Sequence, residues 1–202
     1  MVSGVDVVVW DFDGVLNVNP GGEVFPWVAR LKEDLGIAPA SFRRFLNEPG
    51  QARDVLKGDA DLLARLRRWI EDEGHAIDGK AFLEHWLVSD DRPDDQAVGW
   101  LAAHDGRKVI ATNNPPARAR YIAERTRAGR LVETVLASGE IGAAKPDPGF
   151  FRYLEGWTGV PPNRLLLIDD SADNVAQAAR RGWRTFRFAA DTRDRLPGIL
   201  GL

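Results

Sequence analysis

Short aliphatic runs, each ending abruptly at polar residues, constrain the fold of this chain more than any other feature. Residues 165–168 are four consecutive aliphatic side chains that pass straight into Asp169 and Asp170. Residues 5–10 are mostly β-branched and end in the same manner, at Asp-Phe-Asp-Gly. Apolar runs of this length, bounded by polar or turn-forming residues, are typical of buried strands. The same pattern predicts further strands at residues 107–111, 134–137 and 183–188.

Helical segments separate these predicted strands. Apolar residues recur within residues 94–104, and residues 116–127 open with a proline that suits a first helical turn. Residues 149–157 and 172–181 are the other two predicted helices. Strands that alternate with helices favour parallel pairing, because a crossover helix returns the chain to the same edge of the sheet. We therefore expect an α/β fold with a doubly wound, Rossmann-like and mostly parallel sheet. Ligands bind such sheets at the carboxyl ends of the strands, which is where the polar clusters of this sequence fall.

Residues 17–90 interrupt this alternation. Their apolar side chains recur at helical spacing, as in the series Leu62, Leu66, Trp69 and Ile70. Since no convincing strand pattern occurs among them, we interpret the segment as an all-helical insertion that forms a cap over the site. The predicted organisation is a core domain of residues 1–16 and 91–202, which carries the polar clusters, and a helical cap domain of residues 17–90.

Composition and charge exclude several classes of protein. The chain has 202 residues, of which 44% are hydrophobic and 28% charged, as in an ordinary globular protein. The formal net charge of -3 gives no support for binding to nucleic acid or to an anionic membrane. Without cysteine, disulfides, thiolate metal sites and cysteine nucleophiles are excluded. Neither a signal-peptide pattern nor an apolar run near the ~18 residues of a membrane span is found, so a cytoplasmic location is expected.

Four polar clusters occur in a fixed order along the chain. They are Asp11-Phe12-Asp13-Gly14, Thr112-Asn113, Lys145-Pro146-Asp147 and Asp169-Asp170. Their order and their positions after predicted strands resemble the motifs of the haloacid dehalogenase-like hydrolase superfamily. The resemblance covers nearly the whole chain, because the helical insertion falls where one branch of that superfamily places its cap. It implies the phosphatase branch, since the dehalogenase branch lacks the second aspartate, Asp13.

The resemblance implies a role for each cluster. Asp11 would be the nucleophile, because a carboxylate can attack phosphorus and form an aspartyl-phosphate that water later hydrolyses. Asp13 would be the general acid and base, and Gly14 would allow the backbone to turn sharply beside the phosphate. Thr112 and Lys145 would be catalytic through the charge that they stabilise on the phosphoryl oxygens. The expected phosphate-binding residues are Gly14, Thr112, Asn113 and Lys145.

Four carboxylates that converge on one pocket would repel one another unless a cation lay among them. A hard, oxygen-preferring ion such as Mg²⁺ satisfies this requirement, because it binds one or two carboxylates together with water and phosphate oxygens. By resemblance, Asp11 supplies a carboxylate, Asp13 its backbone carbonyl, and Asp169 or Asp170 the third protein ligand. The sequence leaves open which of the last two binds directly, and Asp173 is a candidate for a supporting role.

The predicted function is magnesium-dependent hydrolysis of a small phosphorylated metabolite. A sugar phosphomutase is an alternative, since it shares every core residue and differs mainly in its cap. A phosphonate hydrolase would need an additional cap lysine, and nothing distinguishes Lys32 or Lys57 for that role. From a different class, a non-catalytic phosphate-sensing or partner-binding module is also an alternative, although such a protein is expected to lack at least one core residue. The cap sequence is too generic to indicate the substrate.

Overall fold

The computed structural model describes residues 4–18 and 25–202. These residues contain a five-stranded sheet with the strand order β3-β2-β1-β4-β5. Every neighbouring pair of strands runs parallel. The strands are β1 (Val7–Trp10), β2 (Arg107–Thr112), β3 (Val135–Ala137), β4 (Leu165–Asp169) and β5 (Arg184–Arg187). The doubly wound α/β fold predicted from the sequence is confirmed.

The α-helices of the described residues fall into two groups. Those of the insertion are α1 (Leu31–Leu35), α2 (Pro39–Leu46), α3 (Gln51–Leu56), α4 (Leu62–Asp72) and α5 (Gly79–Ser89). Those that follow are α6 (Asp95–Ala103), α7 (Pro116–Arg125), α8 (Ser138–Ile141), α9 (Pro148–Thr158), α10 (Ala172–Arg180) and α11 (Leu196–Leu200). Short 3₁₀ helices occur at Pro26–Arg30, Gly129–Leu131, Pro162–Arg164 and Arg193–Arg195. Within the described part of the chain, no helix has both the length and the apolar character needed to cross a membrane.

β1 is the central strand, and its side chains alternate between the two faces of the sheet. Val8 and Trp10 pack on one face, against apolar residues of α6, α7 and α11. Val7 and Val9 pack on the other face, against α9 and α10. All four side chains are fully buried. A strand covered on both faces is apolar at every position, which explains why it appears in the sequence as a continuous run.

The predicted helix over residues 116–127 is shorter in the structure, where α7 ends at Arg125. The hydroxyl of Thr126 donates a hydrogen bond to the Ile122 carbonyl at 2.8 Å. The same hydroxyl accepts a bond from the Gly129 amide at 3.0 Å. A side chain that both closes the last turn and binds the next one stabilises the exit of the chain from the helix.

The insertion has an apolar core of its own, built mainly from aromatic side chains. Phe42 is fully buried, and its ring centroid lies 5.2 Å from those of Phe82 and Trp86. The centroids of Trp27 and Trp69 lie 5.3 Å and 5.6 Å from it. Aromatic pairs at such separations contribute about 0.5–1.5 kcal/mol each beyond the area that they bury. The helices of this segment agree with the expected helical cap, and the cap boundaries at residues 17 and 90 stay a prediction.

Two chain segments connect the insertion to the rest of the molecule, and they run side by side. The Val18 amide donates to the Arg92 carbonyl at 2.8 Å. The fully buried side chain of Asn17 donates to the Asp90 carbonyl at 3.0 Å and accepts from the Arg92 amide at 2.7 Å. These hydrogen bonds hold the two connections together at the base of the insertion.

Two glycine-to-alanine substitutions should distinguish the effects of close packing and of helix propensity on the free energy of unfolding. In Gly129→Ala the new Cβ would lie 1.9 Å from the Ile122 carbonyl oxygen, so the free energy of unfolding should fall by about 1–3 kcal/mol. In Gly99→Ala, within α6, the new Cβ meets no described atom within 4 Å, so the free energy should rise by about 0.5–1 kcal/mol. Urea denaturation measures both changes. A stabilised Gly129→Ala protein would contradict the described packing.

Candidate active site

The carboxyl ends of three adjacent strands bring the predicted polar clusters together. β1 pairs with β2 on one side and with β4 on the other. Asp11 follows β1 directly, Thr112 ends β2, and Asp169 ends β4. The Asp11 amide continues the ladder by donating to the Ile168 carbonyl at 2.9 Å. These three side chains therefore lie at one edge of the sheet, where the sequence led us to expect a site.

Lys145 lies at the centre of this group, in the loop between α8 and α9. Its side chain is 1% exposed, and Nζ lies 3.0 Å from Asp11 Oδ1 and 2.7 Å from Asp169 Oδ2. Burial alone lowers the pKa of a lysine, but the charges of Asp11 and Asp169 outweigh burial here and raise the pKa of Lys145 above its ordinary value. The side chain is therefore a fixed positive charge between two carboxylates.

The side chain of Asn113 fixes the backbone at Lys145. Asn113 Oδ1 accepts from the Lys145 amide at 2.8 Å, and Asn113 Nδ2 donates to the Lys145 carbonyl at 2.8 Å. These bonds join the loop that carries the lysine to the end of β2. The sequence indicated Asn113 as a phosphate-binding residue through its backbone amide, and the structure adds this separate use of its side chain.

Asp11 is buried, and its Oδ1 also accepts from the Phe12 amide at 2.7 Å. Burial raises the pKa of Asp11 well above its ordinary value, Lys145 lowers it in part, and the neighbouring carboxylate of Asp169 raises it again. An ionised Asp11 therefore needs more positive charge than Lys145 alone provides. A divalent cation beside the carboxylate would supply that charge.

Asp169 is fully buried, and both of its carboxylate oxygens accept hydrogen bonds. Besides Lys145, the donors are the Ser171 amide at 2.9 Å and Nδ2 of Asn174, which lies 3.0 Å and 3.1 Å from the two oxygens. Asn174 is buried in the first turn of α10, whereas Asp173 is exposed. The contact that the sequence suggested for Asp173 is therefore made by Asn174, and no motif distinguished that residue.

Asp170 is exposed and lies against Gly14. Gly14 has φ +85°, which favours glycine, and a Cβ there would lie 2.2 Å from Asp170 Oδ2. One carboxylate oxygen from each of Asp11, Asp169 and Asp170 lies within 4.8 Å of the other two. Three acidic oxygen ligands at this spacing fit a hard cation such as Mg²⁺. The Asp13 carboxylate is outside this group, so its expected contribution is limited to the backbone carbonyl.

Three side chains hold the carboxylate of Asp13. Asn17 Nδ2 donates to Oδ1 at 3.0 Å, Arg118 Nη2 donates to Oδ1 at 2.7 Å, and Asn114 Nδ2 donates to Oδ2 at 2.8 Å. Asn17 belongs to a connection of the insertion, whereas Asn114 and Arg118 belong to the segment around the start of α7. The side chain of Asp13 keeps an exposure of 34%, so it remains open to a ligand.

The hydroxyl of Thr112 is oriented by the same asparagine. Asn114 Nδ2 also donates to Thr112 Oγ1 at 2.7 Å. The N-cap of α7 is Pro115, which makes no side-chain hydrogen bond to the helix, so neither Thr112 nor Asn114 caps it. Asn114 thus links the predicted phosphate-binding hydroxyl to the predicted acid–base carboxylate.

Arg118 connects Asp13 to a second carboxylate, that of Asp90 at the end of the insertion. Arg118 is 7% exposed and Asp90 is 3% exposed, and their side chains form an ion pair. Arg92 Nη2 lies 3.3 Å from the other oxygen of Asp90. Burial raises the pKa of Asp90, and Arg118 lowers it in part. No sequence signal indicated Arg118, because α7 contains three arginines that are alike in the sequence.

A cavity of about 390 Å³ lies between the insertion and the residues just described. On the side of the sheet its lining includes Asp13, Asn113, Asn114 and Arg118. On the opposite side it is lined mostly by apolar residues of the helical insertion. A concave volume of this size, with a few polar groups at one end, is typical of a ligand site.

Comparisons with known proteins identify relatives of this chain. The family model for haloacid dehalogenase-like hydrolases matches residues 5–182. Phosphatase MT3486 of Mycobacterium tuberculosis is 30% identical over 196 residues, which cover 90% of this chain and 86% of that protein. A phosphoglycolate phosphatase of Rhodospirillum rubrum is 28% identical over 194 residues, which cover 87% of this chain and 76% of that protein. The HAD family enzyme bt-2542 of Bacteroides thetaiotaomicron, whose structure was solved with magnesium and inorganic phosphate, shares the fold with a TM-score of 0.73. It is 18% identical to this chain, and the match covers 92% of this chain and 95% of that one.

The buried pair of Arg118 and Asp90 leads to a prediction about stability. Arg118→Met should lower the free energy of unfolding by about 3–5 kcal/mol, because it leaves the Asp90 carboxylate buried without its main partner. Adding Asp90→Asn should recover at least about 1 kcal/mol of this loss, since the buried charge is then removed as well. Chemical denaturation of the single and double variants measures this coupling.

Arg125→Met is the matched control on the same helix. Arg125 pairs with Glu84, and their side chains are 48% and 52% exposed. Breaking such an exposed pair should leave the free energy of unfolding close to that of the wild type. Equal losses from Arg118→Met and Arg125→Met would show that burial of the Asp90 pair has no energetic consequence.

Proposed function

The chain belongs to the haloacid dehalogenase-like hydrolase family, and on this premise we propose that it is a magnesium-dependent phosphatase of a small phosphorylated metabolite. The observation that carries the proposal is the position of Lys145, with Nζ 3.0 Å from Asp11 Oδ1 and 2.7 Å from Asp169 Oδ2. A fixed ammonium beside an acidic nucleophile suits a substrate that brings negatively charged oxygens. In this proposal residues 1–16 and 91–202 form the catalytic core, and residues 17–90 form the cap.

Asp11 is the nucleophile of the first step. Its carboxylate oxygen forms a bond to phosphorus while the bond from phosphorus to the leaving-group oxygen breaks. Asp13 delivers a proton to that oxygen, so the leaving group departs as a neutral alcohol. The bonds that Asp13 accepts from Asn17, Asn114 and Arg118 hold its carboxylate in one orientation for this transfer.

Hydrolysis of the aspartyl-phosphate is the second step. Water attacks phosphorus, Asp13 accepts a proton from that water, and the bond between phosphorus and Asp11 breaks to release inorganic phosphate. In both steps negative charge on the phosphoryl oxygens must be stabilised. The groups proposed to do so are the Lys145 ammonium, the Thr112 hydroxyl, and the backbone amides near Asn113 and Gly14.

The residues proposed to hold Mg²⁺ are Asp11, Asp13 through its carbonyl, Asp169 and Asp170. When bound, the ion supplies positive charge that offsets the carboxylates and polarises the phosphoryl group. Asp170 is the better candidate for direct coordination, because both oxygens of Asp169 already accept bonds from protein donors. Asp169 would then act mainly by holding Lys145.

Chelation should abolish hydrolysis of 4-nitrophenyl phosphate, and added Mg²⁺ should restore it. Asp170→Asn should raise the Mg²⁺ concentration needed for half-maximal rate at least about tenfold, because a neutral amide replaces a charged ligand. The matched control is Asp173→Asn, since Asp173 is an exposed residue on the next helix and should leave that concentration unchanged. Initial rates against Mg²⁺ concentration give the result. Full activity in metal-free buffer would contradict the proposed metal site.

Asp13→Asn should separate the two steps. Asparagine keeps the size of the side chain and the backbone carbonyl, but it cannot exchange a proton. A nitrophenolate leaves without much protonation, so attack by Asp11 should survive in part. Hydrolysis of the aspartyl-phosphate should slow, since general-base assistance is typically worth about 10²–10⁴-fold. We expect a burst of nitrophenol followed by slow turnover, and no burst with an alkyl phosphate, whose leaving group is poor.

Rapid-mixing kinetics on both types of ester measure this behaviour, and mass spectrometry locates the phosphoryl group. Wild-type turnover of both esters by the Asp13→Asn protein would exclude Asp13 as the acid and base. A phosphoryl group on any residue other than Asp11 would overturn the assignment of the nucleophile.

A further inference from the structure

The helical side of the cavity is apolar and aromatic. Six of its lining side chains are Phe25, Phe45, Leu46, Val55, Trp86 and Leu87. Phe45 and Val55 also belong to the aromatic core of the insertion, so this wall of the cavity is part of that packed core. The opposite side includes Asp13 and Asn114, which lie at the proposed acid–base group. A substrate with phosphorus beside Asp11 would therefore extend its leaving group toward this apolar wall.

The polar side chains that line the cavity already have partners within the protein. Gln51 Oε1 accepts from Arg65 Nη1 at 2.8 Å. Asn113 binds the backbone of Lys145 with both ends of its amide. Asn114 uses its Nδ2 for Asp13 and Thr112. A leaving group rich in hydroxyls would lose its bonds to water here and meet side chains that already have partners, which weakens its binding.

The charges at the cavity also disfavour an anionic leaving group. Arg118 is the one lysine or arginine that lines the cavity in the described part of the chain. It lies between Asp13 and Asp90 and pairs with both. A carboxylate on the leaving group would meet these two acids, and the one lining cation among the described residues is already paired with both of them. The absence of a lining lysine in the same residues also removes the imine-forming group that a phosphonate hydrolase requires.

We propose that the substrate is a phosphate monoester of a bulky apolar alcohol or phenol, whose hydrocarbon part occupies this cavity. The proposal rests on the proposed function, because it assigns the cavity to the leaving group of the phosphatase reaction. It sets the chain apart from enzymes that act on sugar phosphates or on phosphorylated hydroxy acids. In both of those substrate classes the leaving group carries hydroxyl or carboxylate groups that this cavity does not satisfy.

A series of n-alkyl phosphates from ethyl to octyl tests the proposal. The leaving groups have nearly the same chemical reactivity, so changes in kcat/KM report contacts of the chain with the cavity. Burial of each added methylene should raise kcat/KM about fourfold until the cavity is filled, after which the increase should stop. Glucose 6-phosphate and 2-phosphoglycolate should be hydrolysed less efficiently than hexyl phosphate. A flat series, or a preference for either polar ester, would overturn the proposal.

In the Ala52→Phe protein, kcat/KM should stop increasing at a shorter alkyl chain than in the wild type. Ala52 lines the cavity, so the added ring would occupy part of it. Ala64→Phe is the matched control, since Ala64 is another exposed alanine of the insertion but does not line this cavity. The control should keep the chain-length profile of the wild type. An identical profile in the Ala52→Phe protein would show that alkyl chains do not occupy this cavity.

Calorimetric titration with n-alkanols separates this proposal from the phosphatase reaction. Affinity should increase with chain length from butanol to octanol, and the measurement needs no turnover. If alkanols bind in this manner but no ester is hydrolysed, the proposed function fails while the apolar character of the site stands. If esters are hydrolysed without a dependence on chain length and alkanols do not bind, the phosphatase stands and the assigned substrate class fails.

Discussion

The ammonium of Lys145 and the carboxylates of Asp11 and Asp169 lie together, and all three side chains are buried. Removing one partner from such a buried group typically costs about 3–5 kcal/mol, because the remaining charge is left unpaired. The lysine must therefore reach the same point as the ends of β1 and β4 in every folded molecule. β1 and β4 end side by side, and the Asn113 side chain makes two hydrogen bonds to the backbone of Lys145. These two features meet the requirement. The other residues of the candidate site lie around this group of three charged side chains.

The proposed acid–base group, Asp13, depends on a different set of contacts. Asn17 binds Asp13 and also joins the two connections of the insertion. Arg118 binds Asp13 and also pairs with Asp90 at the end of the insertion. Two of the donors to Asp13 are thus also bonded to the insertion or to its connections. The proposed cap and the proposed proton-transfer group therefore share two partners, Asn17 and Arg118, whereas Lys145 and its carboxylates lie at the strand ends.

Sequence reasoning reached the sheet and its polar edge because both depend on local patterns. In β1 and β4 the apolar run and the acids that follow it are contiguous in the chain. A continuous apolar run indicates a strand that is buried on both faces of a parallel sheet. Arg118 and Asn114 could not be found in this way. Their bonds to Asp13 span 105 and 101 residues, and each has neighbours of the same type in the sequence.

The character of the cavity was hidden from the sequence for another physical reason. Phe45 and Trp86 lie on apolar helical stripes, and a stripe that packs into a core has the same pattern as one that also lines a cavity. Only the arrangement of α2 to α5 over the strand ends distinguishes the two. The pairing of each polar group within the cavity is likewise a property of the folded chain, since Gln51 and Arg65 belong to different helices.

The central position of β1 has a consequence for the growing chain. β1 ends at Trp10, whereas its two neighbours begin at Arg107 and Leu165. At a synthesis rate of about 5–20 residues per second, the apolar strand leaves the ribosome roughly 5–20 s before its first partner does. The insertion is continuous in sequence, has its own aromatic core and is synthesised within that interval. The strand that precedes Asp11 therefore leaves the ribosome well before either of the strands that cover its two edges.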